Sequence, residues 1–365
     1  MSLPRGIELA GWLGASLRKE VRMHAIIASA HGAHQVRLGQ RPTPRDPGPG
    51  QVILKITAVG VCGSDLHIYH GTESFPMRYP VALGHEMTGN IVAMGDDVTG
   101  FAVGDRVVSE TAYAVCGTCL LCRQGHYNLC PERLGFGALV DGGMAEYLVT
   151  RAAIVHRVPD AVDPVAAAMT EPTAVAFHGL TVNATLTPGD TVVVIGPGPV
   201  GLMATQVARL YSPRQLVVLG TVADAPRLTL AQQLGATDVY DDAGMAISAL
   251  ESSGFGVGVD VVIDASGITG TLKTALALVR PGGQIVKIGW GPEIPTFGLD
   301  TLVAKAVTLR GSFSHHWETW ERVLSLMATG QLQPRAISQV YPWKDWNRAF
   351  EEMATHQIGK AVLTL

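Results

Sequence analysis

The run from Thr191 to Leu210, T-V-V-V-I-G-P-G-P-V-G-L-M-A-T-Q-V-A-R-L, restricts the fold of this chain more than any other stretch. Its first five residues are all β-branched and lack the apolar-polar alternation of a half-exposed strand, which is the pattern of a strand buried on both faces in a parallel sheet. Three glycines follow at G-x-G-x-x-G spacing, and Met203 to Leu210 continues as a helix. Gly196 permits the tight turn, Gly198 lets backbone approach a pyrophosphate, and Gly201 lets the helix pack closely on the strand. Pro199 suits the first helical turn, where no N–H is required, and Val200 completes the turn. The helix N-terminus favours an anionic diphosphate, so a dinucleotide is the expected ligand.

Further strand candidates are Leu216 to Leu219, Asp238 to Tyr240, Val259 to Ile263, Gln284 to Ile288 and Val307 to Leu309, with helical segments between most of them. Six strands in this order describe an α/β fold with a doubly wound parallel sheet. About twenty residues past the glycines, where an NAD site wants a carboxylate, the chain has Gly220 and Thr221. Arg227 and Arg214 lie nearby, and Asp224 is read as the cap of a helix beginning near Ala225. Gly220, Thr221 and Arg227 join the candidate cofactor residues, and the choice between NAD and NADP stays open.

Ahead of this sheet, from His24 to about Tyr147, short strand patterns alternate with turns such as R-P-T-P-R-D-P-G-P-G. Within that region lie G-V-C-G-S-D-L-H and L-G-H-E, which supply Cys62, His85 and Glu86. A thiolate, an imidazole and a carboxylate suit Zn²⁺, and three protein ligands with one free position make the catalytic kind of site. The plainer reading is a buried apolar cysteine and a surface His-Glu pair. Cys116, Cys119, Cys122 and Cys130 then form C-x2-C-x2-C-x7-C, the pattern of a closed structural zinc site, with an iron-sulfur centre as the competitor.

With 365 residues the chain is long enough for two domains. A net charge of -4 offers no basic field, so nucleic acid and anionic membrane surfaces are not expected partners and a small molecule is. No apolar run reaches a membrane span. All five cysteines fall inside the metal motifs, leaving none for a disulfide, so a reducing cytoplasm is the expected compartment. Residues 1–22 are read as an extension ahead of the first domain.

Taken in order, G-V-C-G-S-D-L-H, G-H-E-M-T-G, the four-cysteine lobe, M-T-E-P-T-A-V-A-F-H and G-P-G-P-V-G resemble the zinc-dependent medium-chain alcohol dehydrogenases, in their polyol and threonine dehydrogenase branch, from about Met23 to the C-terminus. The resemblance implies a β-rich GroES-like catalytic domain over 23–182 and 314–365 and a Rossmann domain over 183–313. It implies that Cys62 and His85 bind a catalytic zinc, with Glu86 or Glu171 as the further ligand, and that Asp65 supports His85. Ser64 would accept the hydroxyl proton and pass it through the cofactor ribose to His67, while hydride moves between a secondary alcohol and NAD or NADP. A homodimer or homotetramer is a further implication of the likeness.

The chain departs from sorbitol-type relatives in one place: Ser314-His315 follows Gly311-Ser312-Phe313 where they carry an Arg-Tyr pair. Losing that guanidinium argues against simply naming sorbitol, and His315, His316, Tyr69 and Phe297 are candidate pocket residues instead. The rival readings are a zinc-independent NADPH enone reductase on the same fold and a non-catalytic dinucleotide-binding sensor.

Overall fold

A computed structural model describes residues 21–252 and 257–365; most of the expected extension over residues 1–22 lies outside them. The N-terminal strand Arg22–Ala28 pairs antiparallel with Val36–Pro42 and with the short strand Val81–Ala82. Behind it stands a seven-stranded sheet whose axis is Gln51–Gly60. That segment is almost continuously apolar because it is paired or covered along its whole length, antiparallel to Glu86–Met94, Tyr147–Arg151 and Lys360–Thr364. The last strand, Lys360–Thr364, also runs parallel to Ser338–Pro342. The C-terminus therefore returns to the first sheet, as its sequence G-K-A-V-L-T-L suggests.

Register is what assembles the site. Gly60 faces Glu86 on one side and Val362 on the other, so the chain leaving Gly60 carries Cys62 to the same end of the sheet as Glu86 and Lys360. A Cβ at position 60 would lie 2.1 Å from Glu86 Oε2, so any side chain there would displace that carboxylate.

The second sheet has six parallel strands ordered Asp238–Tyr240, Gln215–Leu219, Thr191–Ile195, Val259–Asp264, Val279–Lys287 and Thr308–Gly311. Its first strand in sequence, Thr191–Ile195, is buried at every position, as its β-branched run requires in a sheet covered on both faces. Gly198 is the N-cap and Pro199 the first residue of the helix Pro199–Arg209. A Cβ on Gly201 would stand 1.9 Å from the Gly196 carbonyl, so helix and strand can close together only with glycine there. Two further helices, Thr170–Thr181 and Trp317–Ala328, pack against each other. The stripe Trp320, Val323, Leu324 and Met327 is buried between them and the parallel sheet in one core with Leu202 and Val207. No described helix is long and apolar enough to cross a membrane.

Candidate active site

Cys62 is the N-cap of the helix Gly63–His70, while His85 and Glu86 stand at the start of Glu86–Met94, after a turn in which Gly84 takes φ +89°. Ligand atoms of Cys62, His85 and Glu86 all lie within 4.8 Å of one another. A thiolate, an imidazole and a carboxylate this close fit zinc, which takes such ligands at about 2.0–2.3 Å. Burial alone would lower the pKa of His85, but the adjoining Cys62 thiolate, with Glu171 and Asp65 beyond it, raises it to about 10. Acidic groups converging on one ring make a place that favours positive charge. Asp65 accepts the Cys62 N–H at 2.9 Å and so caps the helix that presents Cys62. Its contact with His85 is through charge.

Glu86 carries a partner that sequence reading missed. Lys360 Nζ lies 2.6 Å from one of its carboxylate oxygens and 2.5 Å from the other, with both side chains shut from solvent. Burial pushes the Glu86 carboxyl up, and Lys360 opposes that shift only in part. The clue in the sequence was a single lysine opening an otherwise apolar terminal strand.

Glu171, in the first turn of Thr170–Thr181, receives a hydrogen bond on Oε1 from His315 Nε2 at 3.2 Å. Trp320 Nε1 donates to His315 Nδ1 at 2.6 Å. An indole N–H can only donate, so the ring proton of neutral His315 sits on Nε2, facing Glu171. Burial would raise the Glu171 carboxyl, but this hydrogen bond, with His85 and Lys360 adding their charges, holds it below the usual carboxylate range. The position where the chain lacks an Arg-Tyr pair is therefore occupied by a buried histidine that orients a carboxylate. His316 lies outside it, edge-on to the His178 ring at 4.8 Å.

Ser64, half-buried, and His67, exposed, are three apart on one short helix and share a face. His67 Nδ1 is 3.0 Å from Thr72 Oγ1. Ser64, His67, the Cys62 cluster and Glu171 open into one cavity of 710 Å³, whose other side is formed by Gly198, Pro199 and Val200. The metal-type cluster and the dinucleotide turn therefore face the same cleft. Its apolar wall is Phe75, Phe136, Trp290 and Phe313. Tyr69 and Phe297 do not line it: Tyr69 packs edge-on to Trp346 and Phe350, and Phe297 packs against the parallel sheet.

At the end of the strand Gln215–Leu219, the Thr221 N–H and hydroxyl both donate to Asp224 Oδ2, at 3.0 and 2.8 Å. Gly220 is pressed against Pro197, where a Cβ would meet the ring at 2.9 Å. Arg227 is a correction to the sequence reading. It is buried, and its guanidinium donates to the Ile358 and Met353 carbonyls at 2.8 and 2.9 Å, so it pins the C-terminal segment and is not free to clamp a 2′-phosphate.

In the four-cysteine lobe, Sγ of Cys116 stands 3.9 Å from Cys122 and 3.6 Å from Cys130, close to the roughly 3.8 Å edge of a tetrahedron with about 2.3 Å zinc–sulfur bonds. Backbone N–H groups of Cys119, Cys122 and Cys116 point at the sulfurs of Cys116, Cys119 and Cys130. Donation from the Cys119 and Thr118 N–H groups lowers the Cys116 thiol to about 6, while burial and hydrogen bonding to Cys119 push the Cys122 thiol up to about 12, so without an ion one sulfur of the cluster carries the charge and its neighbour keeps its proton.

A cleft with a mixed Cys, His and Glu cluster on one wall and a dinucleotide turn on the other defines a metal-assisted, nicotinamide-dependent oxidoreductase. Comparison with known proteins agrees. Residues 48–160 match the alcohol dehydrogenase GroES-like domain and residues 199–329 the zinc-binding dehydrogenase domain. Among curated relatives, a sorbitol dehydrogenase of Halalkalibacterium halodurans is 40% identical over 308 residues, 84% of this chain and 88% of the relative. A D-arabitol-phosphate dehydrogenase of Enterococcus avium is 35% identical, covering 80% and 83% of the two chains. The solved structure of an alcohol dehydrogenase from Thermus sp. ATN1 superposes with a TM-score of 0.83 at 31% identity, over 94% of this chain and 99% of that one. The chain belongs to the zinc-dependent medium-chain alcohol dehydrogenase family, in its polyol branch. It is an enzyme that exchanges hydride between an alcohol and NAD(P), with zinc as its metal. The enone reductase and sensor readings are not favoured.

Proposed function

We propose that Cys62, His85 and Glu86 hold the catalytic zinc and that the substrate is a polyol or related secondary alcohol, oxidised at a carbon placed between that cluster and the Gly196–Gly201 turn. The observation that carries this reading is the opening of Cys62, Ser64, His67, Glu86 and Glu171 into the same cavity as Gly198, Pro199 and Val200. Zinc held there would supply Lewis acidity to the hydroxyl of a substrate alcohol. Ser64 accepts that hydroxyl's proton and His67, one helical turn toward solvent, relays it outward. Glu171, held by His315 and Trp320, faces the cluster as a fixed anion. Cys116, Cys119, Cys122 and Cys130 hold a second, structural zinc.

The domains divide at 23–182 with 314–365 and at 183–313, a division supported by the two separate sheets. The protein works in the cytoplasm, a reading supported by five cysteines all unpaired in disulfides. It assembles as a homodimer or homotetramer. Support comes from the edge strand Thr308–Gly311, exposed at all four residues, which an isolated chain would leave open to pairing. Metal analysis, alcohol-dependent NAD(P) reduction and gel filtration on the same preparation test these statements. Failure to oxidise any member of a broad polyol panel would reject the activity.

A further inference from the structure

The contacts that hold Glu171 do not end at Trp320. His156 is buried on the strand Val155–Arg157, and its ring stacks on the Trp320 indole, 9° from parallel with centroids 5.5 Å apart. Glu321 Oε1 lies 2.6 Å from His156 Nδ1 and Glu110 Oε1 3.2 Å from Nε2, so two carboxylates fix the plane of that ring. Glu110 is buried in turn, and the Tyr127 hydroxyl donates between its two oxygens, at 2.9 and 2.7 Å. Tyr127 lies inside the four-cysteine lobe, between Cys122 and Cys130. Its neighbour Asn128 makes a second tie: Nδ2 donates at 2.8 Å to the carbonyl of Phe313, two residues before His315. Between them Ser314 takes φ +57°, a left-handed backbone that a serine keeps only where its surroundings hold it there.

The lobe therefore grips the segment from Phe313 to Trp320 at both ends, at the loop through Asn128 and at the helix through Tyr127, Glu110 and His156. None of Tyr127, His156, His315 and Trp320 lines the cavity, whereas Glu171 does and acts through its charge on His85. Burying ionisable groups is costly unless each is paired, and apolar side chains would join the same elements without that cost. What a fully bonded polar network adds is a fixed orientation. We propose that the four-cysteine lobe sets the orientation of the Glu171 carboxylate against the catalytic cluster, with Tyr127, His156, Trp320 and His315 as positioning residues. The lobe then bears on turnover as well as on stability. The inference rests on the reading above in which Glu171 faces the catalytic cluster.

The test uses the zinc-loaded enzyme with xylitol, or whichever member of the polyol panel turns over fastest. Trp320→Phe keeps a ring against His156 and loses the N–H that His315 accepts. Tyr127→Phe keeps its ring and loses the hydroxyl that Glu110 accepts. Losing one such bond is expected to lower kcat roughly 3–10-fold, more in Trp320→Phe, which stands nearer Glu171, while KM for the dinucleotide stays unchanged. Affinity for the catalytic ion, read by chelator competition without substrate, falls as well, since the groups behind a metal site govern both. His315→Gln, whose amide still donates to Glu171, keeps more activity than His315→Leu. In Glu171→Gln, adding Trp320→Phe brings no further loss, because the carboxylate it positions is gone. Metal content confirms that each variant keeps the lobe intact, and a variant that fails to fold leaves the other to decide. Wild-type kcat and ion affinity in Trp320→Phe and Tyr127→Phe would overturn the inference. Losses that multiply in the double variant, or a kcat loss accompanied by a matching rise in the dinucleotide KM, would assign the network to general stability and overturn it too. Glu171→Gln with wild-type kcat and ion affinity would instead refute the role given to Glu171 above, and the inference with it. A wild-type enzyme that oxidises no alcohol would refute the proposed function, and ion affinity alone would then decide the inference.

Discussion

Lys360→Met should destabilise the protein strongly when the catalytic site lacks its metal and much less when the metal is present. Lys360 Nζ stands 2.6 and 2.5 Å from the two Glu86 oxygens, and the side chains of both residues are only 1% exposed. At an effective dielectric of about 20, two unit charges that close attract by about 6 kcal/mol, much of it offset by the desolvation of both ions. Removing one partner of such a pair leaves the other charge buried and uncompensated, at a cost of about 3–5 kcal/mol. If Glu86 is also a zinc ligand, the ion compensates the carboxylate after the lysine is gone, and the loss should shrink to less than half. Urea unfolding of wild type and variant, each with the catalytic zinc removed by mild chelation and then restored, measures both differences. An equal loss in the two states would show that Glu86 does not face the ion. No loss in either would show that the pair is not the buried contact described.

Two more predictions concern other parts of the molecule. His178, on the helix Thr170–Thr181, is lowered from 6.5 to about 4, first by burial and then by its neighbours His316 and His315. The unfolded chain takes up that proton near the ordinary value and the folded chain does not until about 4. Stability should therefore be lost as pH falls across that window and level off below it, and His178→Gln should flatten this part of a stability–pH curve. Cys119→Ser should remove one of two zinc ions per chain and melt the lobe, because an incomplete tetrahedral set no longer holds a structural ion. Metal analysis and hydrogen exchange in residues 116–130 would show it.

The parallel sheet was legible because its signals are local: a β-branched run, glycines at fixed spacing, and helices of the right length between strands. Cys116, Cys119, Cys122 and Cys130 were legible for the same reason, since they lie close in sequence. Lys360 was not, because it reaches Glu86 only through the register of three strands, and no spacing in the chain encodes a pairing 274 residues apart. Asn128 and His156 were hidden in another way. Each looks like an ordinary polar residue until the Phe313 loop or the helix Trp317–Ala328 closes against it. Tyr69 was misplaced because an aromatic residue on the helix that carries Cys62 can turn to either side. It turns toward Trp346 and Phe350, which supply an apolar core behind that helix. Arg227 was misread because it lies close in sequence to Thr221, at the end of the second strand, while its actual partners belong to the C-terminal segment.

The central claim is that Cys62, His85 and Glu86 hold one ion in the cleft that takes the dinucleotide. Zinc X-ray absorption and metal content, measured on wild type and on Cys62→Ala, test it most directly. The account predicts two zinc ions per chain in wild type, one bound by four sulfurs and one by mixed sulfur, nitrogen and oxygen. It predicts only the four-sulfur ion in Cys62→Ala, with turnover abolished and dinucleotide binding retained. A Cys62→Ala protein that keeps both ions, or keeps its normal kcat, would contradict it.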